Sequence, residues 1–137
     1  MNQHIYLRAY MAGIVAPTIF LLIVATVFTI ARYIYNVPVP VERVIVFPMA
    51  VVPNAWGLWN LLFVARCSRL QLSIGLWGAL LPLLLAPLGM VVASLLSFPV
   101  PGFAAHGFFI GAPVGLLVYY FAWKYLVGFL NRVQGIN

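Results

Sequence analysis

Acidic side chains are nearly absent: the 137 residues hold one, Glu42, against seven Lys and Arg, for a formal charge of +6. That scarcity excludes a carboxylate pair for general acid–base chemistry. It also excludes the membrane-embedded Asp or Glu used by proton relays and cation-coupled transporters, because Glu42 stands beside Arg43 at the edge of an apolar stretch. Cysteine is reduced to Cys67, so no intrachain disulfide can form. In Ala65-Arg66-Cys67-Ser68-Arg69 it reads as an incidental thiol between apolar runs. Histidine occurs twice, at His4 and His106, at the expected opposite ends of a bilayer about 30 Å thick, which excludes a bis-histidine haem within the chain. Ser73, Ser94 and Ser97 have no base near them in sequence, and no metal-ligand cluster is present. We therefore expect no catalytic residues, no metal and no cofactor.

Charge of either sign is also scarce, at 6% of residues, whereas a soluble domain carries about 25% to wet its surface. With 66% hydrophobic residues, a large apolar surface must face lipid. The basic residues are dispersed singly between apolar runs and form no basic stripe. They read as flanks of membrane spans that meet lipid headgroups, with Arg66, Arg69, Lys124 and Arg132 as the headgroup set, and not as a nucleic-acid surface.

Four apolar stretches are present, at about Tyr10–Tyr33, Val44–Ala65, Leu72–Leu96 and Phe103–Val127. Each reaches the roughly 20 residues that a helix needs to cross the hydrocarbon core. Open strands would leave backbone groups unpaired in lipid, and the alternation of a barrel is missing. The first stretch is longer than the apolar core of a cleaved signal and is followed by Arg32, Tyr33 and Tyr35, so it reads as a retained span. The expected fold is all-α: one transmembrane domain over residues 1–137, with four kinked helices arranged as two hairpins. Prolines fall inside every span, at Pro17, Pro48, Pro53, Pro82, Pro87 and Pro113, and read either as hinges or as static kinks. Val37-Pro38-Val39-Pro40 and Phe98-Pro99-Val100-Pro101 give the two outer turns a similar stiff composition.

Arginine and lysine set the expected orientation. Arg8, Arg66, Arg69, Lys124 and Arg132 fall on one side and Arg32 and Arg43 on the other. Five against two places both termini in the cytoplasm of a cell (inner or plasma) membrane. Trp77, Trp123, Tyr10, Tyr119, Tyr120 and Tyr125 are expected to mark the inner interface, and Tyr33 and Tyr35 the outer one.

Two segments carry unusual residues. Pro53-Asn54-Ala55-Trp56-Gly57-Leu58-Trp59-Asn60 brings two amides and two indoles into the second span. At 100° per residue, Trp56, Trp59, Asn60 and Phe63 share one broad face, while Asn54, Gly57 and Leu61 share another. Asn54, Trp56, Trp59 and Asn60 read as an interhelical polar connector or as a site for an amphipathic ligand. Gly107-x3-Gly111-x3-Gly115 draws a stripe without side chains along the fourth span, where another helix can approach closely, within the chain or from an oligomer. Gly75-x2-Gly78 is a weaker version of the same pattern.

In size and helix count the chain is similar to the small multidrug-resistance transporters. Those rely on a glutamate within their first helix, where this chain has Thr18, Thr26 and Thr29 and no carboxylate, so the likeness ends at size. The leading expectation is a non-catalytic membrane subunit that packs through the fourth span against copies of itself or other membrane subunits. The alternative is a small transporter or channel for a neutral, amphipathic or lipid-like solute, resting on the prolines and on Asn54, Trp56 and Asn60.

Overall fold

A computed structural model describes residues 4–39, 41–44, 48–70, 72–95, 97 and 104–136, with side-chain surroundings given for these except at 43–44, 67–70, 93 and 104–110. All regular structure among them is helical. Helix α1 runs Ile5–Tyr33, a short turn α2 covers Val41–Val44, α3 runs Ala50–Leu70 and α4 runs Ile74–Leu95. A last rod begins as α5, Ala104–Phe121, widens into a π-helical segment, Ala122–Val127, and ends as α6, Gly128–Val133.

Three of these helices are long and apolar enough to cross a membrane: Ile5–Tyr33, Ile74–Val92 and Gly111–Val133. The 29 residues of α1 extend about 43 Å at 1.5 Å per residue, more than the hydrocarbon core requires. Its buried residues, Ala9, Ala12, Gly13, Pro17 and Leu21, fall at helical spacing on one stripe. Ile19, Phe20, Leu22, Ile23, Val27 and Ile30 remain exposed around the rest of the rod, a surface suited to lipid. Helix α3 has the length, 21 residues, but carries two asparagines, two tryptophans, a proline and a glycine in its first half. Its apolar character is correspondingly weaker.

Helix α3 is the centre of the arrangement. It packs against α1 along much of its length and against α4 near their connection, while α4 lies along α5 and the π segment. Small residues set how closely these rods approach. A Cβ on Gly13 would come within 2.6 Å of the Trp56 carbonyl oxygen and 2.8 Å of the Gly57 Cα, so α1 and α3 cross backbone to backbone at Gly13 and Gly57. Gly78 of α4 lies under the Trp123 ring and Gly75 under Tyr120, where any Cβ would overlap the aromatic atoms. Gly75-x2-Gly78, the weaker pattern in the sequence, is thus a close helix contact, with its residues three apart on one face. Among the described residues Gly111 and Gly115 instead have nothing within 4 Å of an added Cβ, and the surroundings of Gly107 lie outside the described residues.

The inner-belt expectation needs correcting at Trp123. It has no exposed surface and is the centre of a cluster with Trp56, Leu81, Leu85 and Val127. Its ring fills the space that Gly78 leaves, and packing outcompetes the interface there. Tyr125, two residues on, stays exposed as expected.

Prolines lie inside α1, α3, α4 and α5, at Pro17, Pro53, Pro82, Pro87 and Pro113. The three threonines of α1 bond within their own helix: the Thr18, Thr26 and Thr29 hydroxyls donate to the carbonyls of Ile14, Leu22 and Ala25, four residues back. They are spent locally and form no polar path across the helix. Past the far end of α1, Asn36 adopts a left-handed conformation at φ 54°, as does Ser97 after α4 at φ 55°. Beyond Asn36 the Arg32 guanidinium pairs with Glu42. The Glu42 carboxyl is held below its ordinary range by its own backbone amide and by Arg32. A depressed carboxylate contributes above its unfolded pKa and loses that contribution as pH falls through the lowered value. Both groups are solvent-exposed, so the pair is a weak local clasp.

Gly78→Ala is expected to destabilise the fold by about 1–3 kcal/mol through overpacking against Trp123. Gly111→Ala in the monomeric chain should be neutral or stabilise by up to about 1 kcal/mol, since alanine is the better helix former. Unfolding titrations in detergent, followed by helical circular dichroism, distinguish the two positions. Equal costs at both would contradict this packing.

Candidate functional site

The polar residues of α3 serve different neighbours. Asn54 is exposed on the side facing α1, where its Oδ1 accepts from the Tyr10 hydroxyl at 2.5 Å and its Nδ2 donates to the Ala50 carbonyl at 2.8 Å. Both ends of the amide are therefore engaged at the α1–α3 seam. Trp59 and Phe63 turn toward α4. The Trp59 and Trp77 rings stack with centroids 4.8 Å apart and planes 23° apart. Each indole N–H donates to the other residue's backbone carbonyl, Trp59 Nε1 to Trp77 O at 2.8 Å and Trp77 Nε1 to Trp59 O at 3.0 Å. This reciprocal clasp satisfies two donors that lipid would leave stranded.

Trp56 and Asn60 face inward. Trp56 packs against Tyr119 and Trp123, with ring centroids at 5.2 and 5.4 Å. The indole nitrogens of Trp56 and Trp123 find no acceptor among the described residues. Ring shape and dispersion, rather than hydrogen bonding, hold this part of the core.

Asn60 is fully buried and makes the most connected polar contact in the molecule's described part. Its Nδ2 donates to the Ala9 carbonyl of α1 and to Asn131 Oδ1 of α6, both at 2.7 Å. Asn131 Nδ2 returns a bond to Asn60 Oδ1 at 3.1 Å. Two amides facing head to tail form a closed ring of hydrogen bonds, and Ala9 takes Asn60's second N–H. One side chain thereby joins the start of α1, the middle of α3 and the end of the last rod.

Asn131 is itself fixed by the way its helix ends. Gly135, at φ +68°, takes the left-handed position that only glycine adopts without a Cβ penalty. The Gly135 amide donates to the Arg132 carbonyl at 3.0 Å and the Ile136 amide to the Asn131 carbonyl at 2.8 Å, the paired bonds of a Schellman cap. Ile136 is buried behind the cap, and Arg8 Nη1 donates to the Gln134 carbonyl at 3.2 Å, so α1 also braces this turn. The π segment assists. Side chains four apart on an α-helix drift about 40° per step. A wider turn at Ala122–Val127 counters that drift, and Trp123, Val127 and Asn131 all remain buried on the inner side.

Beside Asn131 the chain leaves a cavity of about 430 Å³ between the ends of α3, the π segment and α6 and the start of α4. Lys124, Asn131 and Arg132 give it polar groups, while Phe63, Ile74 and Ile136 give it apolar walls. Asn54 and Asn60, expected together in one site, are thus apart: one is exposed at a seam and the other is buried in the amide ring. Of the four headgroup candidates, Lys124 and Arg132 line this cavity, Arg66 is exposed nearby in sequence to Phe63, and the Arg69 side chain lies outside the described residues. Among the described residues no group of three His, Cys, Asp or Glu side chains gathers to hold a metal. Compared with family models, with curated proteins and with solved structures, the chain matches none.

Sequence reasoning missed Asn131, which lies beyond the expected end of the fourth span. The signal was a basic residue in a last helical turn followed by glycine, Arg132 then Gly135, which marks a helix running to 133 rather than 127. Asn60→Leu or Asn131→Leu alone is expected to cost about 1–3 kcal/mol, because each strands the other's buried amide. The double substitution should cost less than the sum by about 1 kcal/mol. A double-mutant cycle from detergent unfolding checks this, and strict additivity would show that the two amides do not act as a pair.

Proposed function

We propose that the chain is a non-catalytic subunit of a membrane assembly, joined to another membrane helix through the outer face of α5. The observation that carries this reading is the unequal use of glycine. Gly13, Gly57, Gly75 and Gly78 are filled by neighbours within the chain, whereas no described residue comes within 4 Å of a Cβ on Gly111 or Gly115. Val114, Leu117 and Val118 are exposed beside them, completing an apolar groove of the kind in which a second helix gains close backbone contact. The partner is another copy of the chain or a different membrane subunit.

In this reading α3 spans the membrane with the other three helices, its amides and indoles shielded by α1, α4 and α6. Arg8, Arg66, Lys124 and Arg132 belong to the same end of the molecule, since Arg8 meets Gln134 and the Asn60–Asn131 bond joins α3 to α6. By the positive-inside rule that end faces the cytoplasm of a cell membrane, with both termini there. The transport reading needed Asn54 and Asn60 to border one polar cavity. Their separate partners favour the subunit reading over it.

Mass measurement in mild detergent is expected to give a particle heavier than one chain, and Gly111→Leu should reduce it to a monomer with unchanged helicity. Recovery of the full-length protein alone identifies the partner as a second copy; co-purification of another helical protein, lost in the variant, identifies a different subunit. A monomer that Gly111→Leu leaves unchanged overturns the proposal. Reporter tags on the two ends should both read cytoplasmic, and opposite compartments would overturn the topology.

A further inference from the structure

The cavity beside Asn131 combines three features that a surface cation in lipid does not need. Among the described residues it holds two cations without a carboxylate, a buried amide with a second N–H, and an apolar wall. The chain's one acidic side chain is engaged by Arg32 at the other end, so no Asp or Glu neutralises Lys124 or Arg132. Lys124 lines the cavity, and its ammonium lies 5.6 Å from the Tyr120 centroid and 5.5 Å from that of Tyr125. Asn131, 5% exposed, lines the cavity and uses one N–H of its amide on Asn60, which leaves it a second.

We propose that this cavity is a binding site for one phospholipid with an anionic headgroup. Lys124, Arg132 and the second N–H of Asn131 would bind phosphate oxygens, and the first acyl methylenes would lie against Phe63, Ile74 and Ile136. A volume of about 430 Å³ lies within the roughly 300–1,000 Å³ of small-molecule sites. The exterior at this level is apolar, with Phe129 and Val133 exposed on either side of Arg132, so the anion reaches the cations from the lipid leaflet. Gly128 keeps the cavity open: a Cβ there would lie 3.6 Å from the Trp123 carbonyl and 3.8 Å from Ile74, ordinary contact distances, so a larger side chain fits only by filling the space. The site rests on the membrane reading but not on association through Gly111.

The test is native mass spectrometry of the full-length protein from bilayers of phosphatidylglycerol and phosphatidylcholine with matched acyl chains. One phosphatidylglycerol per chain should be retained, in about tenfold preference over phosphatidylcholine. Lys124→Gln/Arg132→Gln should remove the preference, Gly128→Leu should remove it without changing charge, and Lys124→Arg/Arg132→Lys should keep it. Gly111→Leu should change the oligomer but not the lipid count, which separates this proposal from the one above. Equal retention of both lipids overturns it, as does preference surviving both Lys124→Gln/Arg132→Gln and Gly128→Leu. Displacement of the lipid by millimolar inorganic phosphate overturns it as well, showing an anion site instead. Should the charge variant lose helicity, the Gly128→Leu and the conservative variants decide the matter alone.

Discussion

Two buried amides, Asn60 and Asn131, hold the arrangement in register. Lipid tails are as apolar as leucine, so burial of apolar surface does little to choose one packing of membrane helices over another. A hydrogen bond does choose, because an amide without a partner in hydrocarbon costs several kcal/mol and water is not there to replace it. Asn60 reaches Ala9 on one side and Asn131 on the other, so a turn of α3 relative to either α1 or α6 breaks a bond. The Schellman cap at Gly135 keeps Asn131 from sliding away.

Small and flat residues then decide how close the rods come. Gly13 against Gly57 brings two backbones together, and Gly78 under Trp123 lets a large ring lie where a methyl group would not fit. The reciprocal Trp59–Trp77 clasp fixes α3 against α4 with both indole donors satisfied. Helix α3 is the least apolar of the long helices because three neighbours use its polar groups. Its weak hydropathy reflects a central place, as in other bundles where polar side chains connect helices.

Much of this was legible in the residues. Scarce charge and the apolar stretches pointed to an all-helical chain; three of its helices, rather than four, are long and apolar enough to cross a membrane, and α4 ends within two residues of its expected bounds. Asn54 stood out as the amide in need of a partner, but the buried one is Asn60, which stood out only as a member of the same segment. Its partner did not, because a lone asparagine beside Arg132 near the end of a chain resembles any solvated helix end. Periodicity marks which residues share a stripe but not which stripe faces a neighbour in the same chain: Gly75 and Gly78 meet Tyr120 and Trp123, whereas Gly111 and Gly115 meet no described residue. Asn54 and Asn60 lie 600° apart around an ideal helix, or about 240° after one full turn, which is why they meet different partners.

Among the described residues, the same arrangement leaves two surfaces without an occupant. One is the glycine face of α5, and the other is the cavity beside Asn131, where the amide ring meets the cationic end. Both follow from α3 being fixed at the centre. The most direct measurement of that central claim is a solid-state NMR dipolar coupling, in lipid bilayers, between Asn60 Nδ2 and the side-chain carbonyl carbon of Asn131. A strong coupling between the two side chains is predicted. Its absence in helical, fully inserted protein would contradict the account.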